Sequence, residues 1–289
     1  MAEHVLHNPS ASRASQRAAQ SIMANLVSSG KQVVDLSAPT PAAASAKLGD
    51  AMHRGDIDRI VLAGGDGLIH LAIQHLAQTD IPVTIAPIGS GNDFANAVRE
   101  HCEGTGSIGL TADLVRATGN DGKITWVASV AIAGFPADIN ERANTMRRIW
   151  GSSVYALAAA RELPAFRRRT FEVSIDAIPL TTDSAMLAIG NTKYFGGGML
   201  PCPDALANDG LLHFTSIENV DRRRLLPHLL GRAGGTADRK EVLRGIGERI
   251  EIETVGHHFW ADGEPIGTSP LTFEVVPNAL KIEQVAKVT

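Results

Sequence analysis

Ile60-Val61-Leu62-Ala63-Gly64-Gly65-Asp66-Gly67 runs an apolar, β-branched segment straight into a turn of glycines around one carboxylate. Glycines let the backbone turn tightly and bring its N–H groups against a ligand, and a helix starting just beyond adds partial positive charge. That combination suits a phosphate. Asp66 would repel a phosphate by itself, so a carboxylate there makes sense with a cation between the two. The same residues also make an ordinary strand-to-helix connection with Asp66 as N-cap, and that reading stays open. A second stretch, Pro87-Ile88-Gly89-Ser90-Gly91-Asn92-Asp93-Phe94-Ala95, repeats the logic one strand later. Gly89 and Gly91 leave room, the Ser90 hydroxyl can donate, and Asn92 or Asp93 can cap the next helix. Two such loops at one sheet edge favour phosphate binding over unrelated turns.

The elements that would hold these loops follow from local patterning. Val33–Leu36, Ile60–Ala63 and Val83–Ala86 are short and β-branched and end in Gly, Pro or a small polar residue, as buried strands do. Ser10–Ser28 and Ala42–Arg54 are Ala-rich and long enough for helices, and Leu68, Leu71, Ala72 and Leu76 fall at helical spacing. Alternation of this kind predicts a Rossmann-like parallel sheet with flanking helices, whose ligand crevice lies beyond the carboxyl ends of the strands. The pattern changes near Thr118. Gly119-Asn120-Asp121-Gly122 predicts a hairpin joining Leu110–Arg116 to Ile124–Ile132. Strand-like runs then recur at Phe171–Ile175, Ala185–Ile189, Leu211–Ile217, Ile250–Glu253, His257–Ala261 and Leu271–Val276, which predicts an antiparallel sandwich or barrel. Asp138–Arg161, broken at Gly151, and Asp221–Arg232 read as helices.

Global composition removes several functional classes. A chain of 289 residues with net charge −4 has no overall attraction to nucleic acid. Cys102 and Cys202 form no CxxC pair, so neither a disulfide framework nor a structural zinc site is expected. The N-terminus lacks a basic and apolar leader, and no apolar run approaches the ~18 residues that span a bilayer. A cytoplasmic protein is expected. Arg147-Arg148, Arg167-Arg168-Arg169 and Arg222-Arg223-Arg224 are ordinary solvated faces, or, on one surface, contacts to anionic headgroups worth about 1 kcal/mol per charge.

Gly-Gly-Asp-Gly followed some twenty residues later by Pro-x-Gly-Ser-Gly-Asn-Asp-Phe-Ala resembles the diacylglycerol kinase-like catalytic family, which includes bacterial lipid kinases and sphingosine and ceramide kinases. Phosphofructokinases and NAD kinases share the first motif and lack the second. The resemblance continues through Asn8-Pro9, Gly190-Asn191, Gly196-Gly197-Gly198-Met199, Cys202-Pro203-Asp204-Ala205, Asn208-Asp209-Gly210-Leu211-Leu212 and Asp262-Gly263-Glu264-Pro265, so it covers nearly the whole chain. It implies an ATP-dependent lipid kinase using Mg²⁺, with a lipid substrate carrying a free hydroxyl, peripheral membrane contact and a homodimer allowed. It also implies an N-terminal α/β nucleotide-binding domain (1–117, with 279–289 returning to it), a C-terminal β-rich lipid-substrate domain (118–278), and a nucleotide site in the cleft between them.

Residue roles carry over by motif. Glu264 would be the general base and Asp66 would order the Mg²⁺-phosphate assembly. Gly64, Gly65, Gly67, Leu68, Ile69, His70, Ser90 and Asn92 would line the nucleotide, with Asn8 and Ser37 nearer its base and ribose and Asp113 near the active site. Leu206 and Leu211 carbonyls with the Asp209 carboxylate would hold a second, structural Mg²⁺. Against each stands a plainer reading: Glu264 as an exposed hairpin residue, Ser37 as a turn residue, Asp113 facing solvent, and Asn-Asp-Gly as an ordinary turn. Leu68 and His70 depart from the family's usual Thr and Asn, and Ser10-Ala11-Ser12-Arg13 lacks the usual glycines or lysine. A soluble kinase of the NAD kinase type and a non-catalytic lipid- or nucleotide-binding descendant are the alternatives.

Overall fold

The computed structural model describes residues 2–150, 161–162, 164, 166–218, 220 and 241–286, with the backbone alone for 143–150. The helix expected at Asp221–Arg232, the break at Gly151 and the arginines at 147–148 and 222–224 lie outside the described residues and side chains. The chain divides into two compact units, Met1–Leu114 with Val276–Thr289, and Val115–Val275.

In the first unit, β1 (Ala2–His7), α1 (Arg13–Ser28), β2 (Gln32–Asp35), α2 (Pro41–Arg54), β3 (Ile60–Gly64), α3 (Asp66–Leu76), β4 (Thr79–Pro87) and α4 (Asp93–Thr105) follow one another. The strands pair in parallel in the order β2-β1-β3-β4, and the chain's last strand adds in parallel beside β4. Parallel pairing puts the ends of β1, β2, β3 and β4 on one edge of the sheet. Every residue of β3 is buried, which is why it reads as an unbroken apolar run. Capping sets the helices. Helix α1 begins at Arg13, not Ser10, because the Ser12 side chain accepts from the Ser15 amide. Helix α2 starts on Thr40 with Pro41 in its first turn and stops at Gly55, at φ 70°.

The second unit holds β5 (Leu110–Gly119, shared with the first), β6 (Ile124–Val127), β7 (Val130–Gly134), α5 (Phe135–Trp150), β8 (Arg169–Ile175), β9 (Ile178–Gly190), β10 (Leu212–Glu218), β11 (Val242–Gly247), β12 (Arg249–Ile252), β13 (His258–Ala261), β14 (Glu264–Thr268) and the first part of β15 (Leu271–Val285). Here pairing is antiparallel, in the order β14-β13-β7-β9-β8-β12-β15, with β10 and β11 joining through β9. Successive residues face two cores. Ala131, Ala133, Leu187, Ile189, Phe259 and Ala261 enter one, while Val130, Ile132, Met186, Ala188 and Trp260 enter the other.

Parallel strands in the first unit and antiparallel strands in the second agree with the sequence pattern, but the barrel alternative fails: the sheet is open, with β14 paired only to β13 among the described residues. The hairpin at Gly119–Gly122 is present, yet its second arm is two strands, because the ladder stops at Ala128 and Ser129. The last strand continues well past Val276. Pro277 and Asn278 mark a kink within it, with Asn278 at φ 54°.

Candidate functional site

On the first unit the two glycine loops meet. A Cβ on Gly65 would sit 3.0 Å from the Gly89 Cα, and one on Gly89 would sit 2.9 Å from both the Gly65 N and the Asn92 Oδ1. A side chain at Gly89 would clash with backbone and one at Gly65 would press tightly on it, so the loops present bare backbone. Gly65 is the N-cap of α3, which overturns the reading of Asp66 as the cap; the Leu68 and Ile69 amides bond back to the Gly65 carbonyl at 3.0 and 3.2 Å. Asp66 instead reaches the second loop, where its Oδ1 accepts the Phe94 amide at 3.2 Å. Asn92 is the N-cap of α4 in the left-handed region, at φ 60°, but its side chain caps no helix amide. Its Oδ1 accepts from the Gly89 amide and its Nδ2 donates to the Gly89 carbonyl, both at 3.0 Å, folding the loop on itself. Asp93 is buried in the first turn of α4. Helices α3 and α4 thus both begin on these loops, with their positive ends at the sheet edge.

The remaining candidates on this unit divide by exposure. Ser90 and Gly67 are exposed beside the loops. Leu68 packs back on Gly64, leaving no room for a Cβ there. Ile69 and His70 are both buried in the first turns of α3. Asn8 and Ser37 follow β1 and β2, and the Ser37 Oγ accepts the His7 amide at 2.8 Å while the Asn8 Oδ1 accepts the Ser10 amide. Burial pushes the neighbouring Asp35 carboxyl up, but the backbone and hydroxyl hydrogen bonds of Ser37 outweigh it and hold the group below its ordinary range. Asp113 does not face solvent: it is buried, and its Oδ1 accepts the Asn278 amide at 2.9 Å, which holds the kink in β15.

On the second unit, Glu264 is exposed as the first residue of β14. Asp262 and Gly263 form the two-residue turn before it, at φ 52° and 88°, the double positive φ that an Asp-Gly hairpin turn supplies. The Asp209 carboxylate closes its own loop, accepting from the Leu211 amide at 3.0 Å, the Leu206 amide at 3.3 Å and lying 3.2 Å from the His213 Nε2. The amides of Leu206 and Leu211, not their carbonyls, face this carboxylate, and the Leu206 carbonyl accepts from the Asp209 amide at 3.5 Å; a carboxylate with backbone carbonyls is in general the kind of donor set that hard cations take. No group of three or more His, Cys, Asp or Glu that could hold a metal occurs among the described residues. Cys202 is buried, and burial pushes its thiol up to about 12. Of the Arg167–Arg169 run, Arg168 pairs with Asp183 and Arg169 with Asp138, at 3.2 and 2.8 Å.

Residues 3–111 match the diacylglycerol kinase catalytic domain, and residues 129–284 match the YegS C-terminal NAD kinase beta sandwich-like domain. A diacylglycerol kinase of Mycobacterium tuberculosis (strain ATCC 25618 / H37Rv) is 32% identical over 290 residues, covering 96% of this chain and 93% of its own. The chain belongs to the diacylglycerol kinase-like lipid kinases. A protein of Klebsiella pneumoniae (strain 342) named Probable lipid kinase YegS-like is 26% identical over 78% of this chain and 77% of its own. The crystal structure of a diacylglycerol kinase from Bacillus anthracis str. Sterne shares the fold, with a TM-score of 0.67 at 14% identity over 100% of this chain and 98% of that one. As a member of this family the chain is a phosphotransferase for which ATP is the implied donor. No helix among its described residues is long and apolar enough to cross a membrane.

Two motif residues, Asp262 and Asn191, have roles that their sequence context does not reveal. Both are buried and both bond the backbone at the Ala128–Ser129 break. The only local signal was an aspartate placed where a turn demands positive φ, which any exposed hairpin would also show.

Proposed function

We propose that this kinase transfers the γ-phosphoryl group of ATP to a free hydroxyl of diacylglycerol or a related lipid, in peripheral contact with a membrane. The observation that carries the reading is the glycine-on-glycine approach of Gly65 and Gly89, which leaves a cradle of backbone at the starts of α3 and α4. Gly64, Gly65, Gly67 and Ser90 hold the phosphates, with Asn8 and Ser37 nearer the ribose and base. Glu264 accepts the hydroxyl proton while that oxygen bonds to the γ-phosphorus and the bond to ADP breaks. Mg²⁺, when bound, would neutralise the phosphate charge; Asp66 would order it, and Asp209 with the Leu206 and Leu211 carbonyls would hold a structural ion.

The test is γ-labelled phosphate transfer to a panel of lipids in mixed micelles, with wild type and Glu264→Gln side by side. Loss of a general base should lower kcat by about 10²–10⁴-fold with little change in the KM for ATP. A fully active Glu264→Gln enzyme would remove Glu264 from the chemistry. Labelling of NAD with no lipid labelled would make this a soluble kinase of another specificity.

A further inference from the structure

The break between β6 and β7 leaves the peptide groups of Ala128 and Ser129 outside any strand ladder, and both residues are buried. Buried backbone groups must find partners, so their accounting is informative. The Asp262 carboxylate takes both amides: Oδ2 accepts from Ala128 and Oδ1 from Ser129, each at 2.9 Å. Asn191 takes both carbonyls, its Nδ2 donating to Ala128 and its backbone amide to Ser129, each at 2.8 Å. All four groups are satisfied by Asp262 and Asn191, with the Thr192 amide also reaching the Ser129 carbonyl at 3.3 Å, and Asp262 sits in the turn that leads into Glu264.

We infer that Asp262 is the positioning residue for Glu264, a reading that rests on Glu264 being the base. Asp262 is buried, and both its carboxylate oxygens are engaged by backbone amides. Its carboxylate fixes the turn to β7, and only Gly263 separates it from Glu264. The pairing of Ala261 with Glu264 closes the hairpin, but Gly263 restrains neither φ nor ψ of the turn itself, so the clasp is what fixes the turn's conformation. The residue type is also constrained. Both partners are N–H donors, and only a carboxylate accepts from both; asparagine would turn its own NH₂ toward one of them. The left-handed conformation of Asp262 is tolerable for aspartate and is held by the same two bonds.

The full-length enzyme is assayed with ATP, Mg²⁺ and diacylglycerol in mixed micelles. Asp262→Asn and Asp262→Gly are measured alone and combined with Glu264→Gln. Glycine keeps the turn and deletes the clasp, so it separates positioning from turn geometry. Each single variant should lose about 10–100-fold in kcat, the scale of a misplaced catalytic group, with the KM for ATP unchanged. In the Glu264→Gln background neither should cost anything more, since the effect passes through Glu264. Wild-type kcat in Asp262→Gly, or the same loss with and without Glu264, would overturn the inference. If Glu264→Gln is inactive and Asp262→Gly is not, this inference fails alone; if Glu264→Gln is fully active, the base assignment fails and takes it along. Hydrogen exchange on wild type needs no variant: the Ala128 and Ser129 amides should be among the slowest in the chain, and their rapid exchange would equally refute the clasp.

Discussion

At the scale of single residues, the cradle depends on two missing side chains. A methyl group on Gly89 would press on the Gly65 backbone and the Asn92 amide, which itself is tied to Gly89. Backbone cannot yield as a side-chain tip does, so Gly89→Ala must push the loops apart. We expect the KM for ATP to rise by an order of magnitude, and stability to fall by about 1–3 kcal/mol, the usual cost of overpacking. Gly104 is the control. It lies in α4 with nothing near the position of a Cβ, so Gly104→Ala should stabilise by about 0.5–1 kcal/mol through helix propensity and leave kinetics alone. Nucleotide titration and thermal melts on both variants decide the matter; an equal effect would mean the close approach has no role. The glycines were legible because their spacing after apolar runs is itself a signal. The Asp66 bond to Phe94 was not, because a carboxylate after two glycines reads equally as cap, ligand or tie between loops.

At the scale of elements, the strands most easily read were those buried on both faces, such as β3. Those missed carry polar residues for local reasons. Strand β1 holds Glu3 and His4, both buried, and Glu3 is compensated by Lys31 at 2.6 Å, a partner no local pattern reveals. Strand β14 begins Glu-Pro-Ile-Gly and reads as a turn, being an edge strand where proline is tolerated. Ion pairs across strands are similarly invisible in sequence. Glu274 on β15 accepts from Arg116 on β5 at 2.8 Å and from Arg249 on β12 at 2.6 Å. The hydrogen bond from Arg116 is the largest cause holding its carboxyl below the ordinary 4.5. A carboxylate depressed in the folded state stabilises fully above its unfolded value, and that stability is lost as pH falls through the folded one. Glu274→Gln should therefore cost up to about 1 kcal/mol near neutrality, and the gap to wild type should shrink below pH 4.5. Melting temperatures across the acid range check this; a gap unchanged at low pH would assign the loss to something other than charge.

At the scale of the whole molecule, the first unit is assembled from two stretches separated by the entire second unit. Its closing strand is firmly attached. Leu280, Ile282 and Val285 pair with Thr79, Val83 and Ile85, and Ala279, Leu280 and Ile282 are buried. Arg59 meets Glu283 at 2.9 Å, and the Gln78 amide reaches the Ala279 carbonyl at 2.7 Å. Burying each larger apolar side chain is worth about 1.5–3 kcal/mol, against a total stability of about 5–15 kcal/mol for a typical domain. The last segment thus carries a large share of what keeps the parallel sheet of the first unit folded. The distribution of probes makes this measurable. Trp126, Trp150 and Trp260 all belong to the second unit, whereas among the described residues most of the helix, α1 to α4, lies in the first. Ile282→Ala should cost the first unit about 2–4 kcal/mol by leaving a cavity against β4. In urea, the circular dichroism transition should then move to lower concentration while the tryptophan transition stays in place. A chain ending at Val275 should lose ATP binding and most helical signal yet keep a cooperative tryptophan transition. If both signals shift together in Ile282→Ala, the two units unfold as one, and the closing strand stabilises the whole chain.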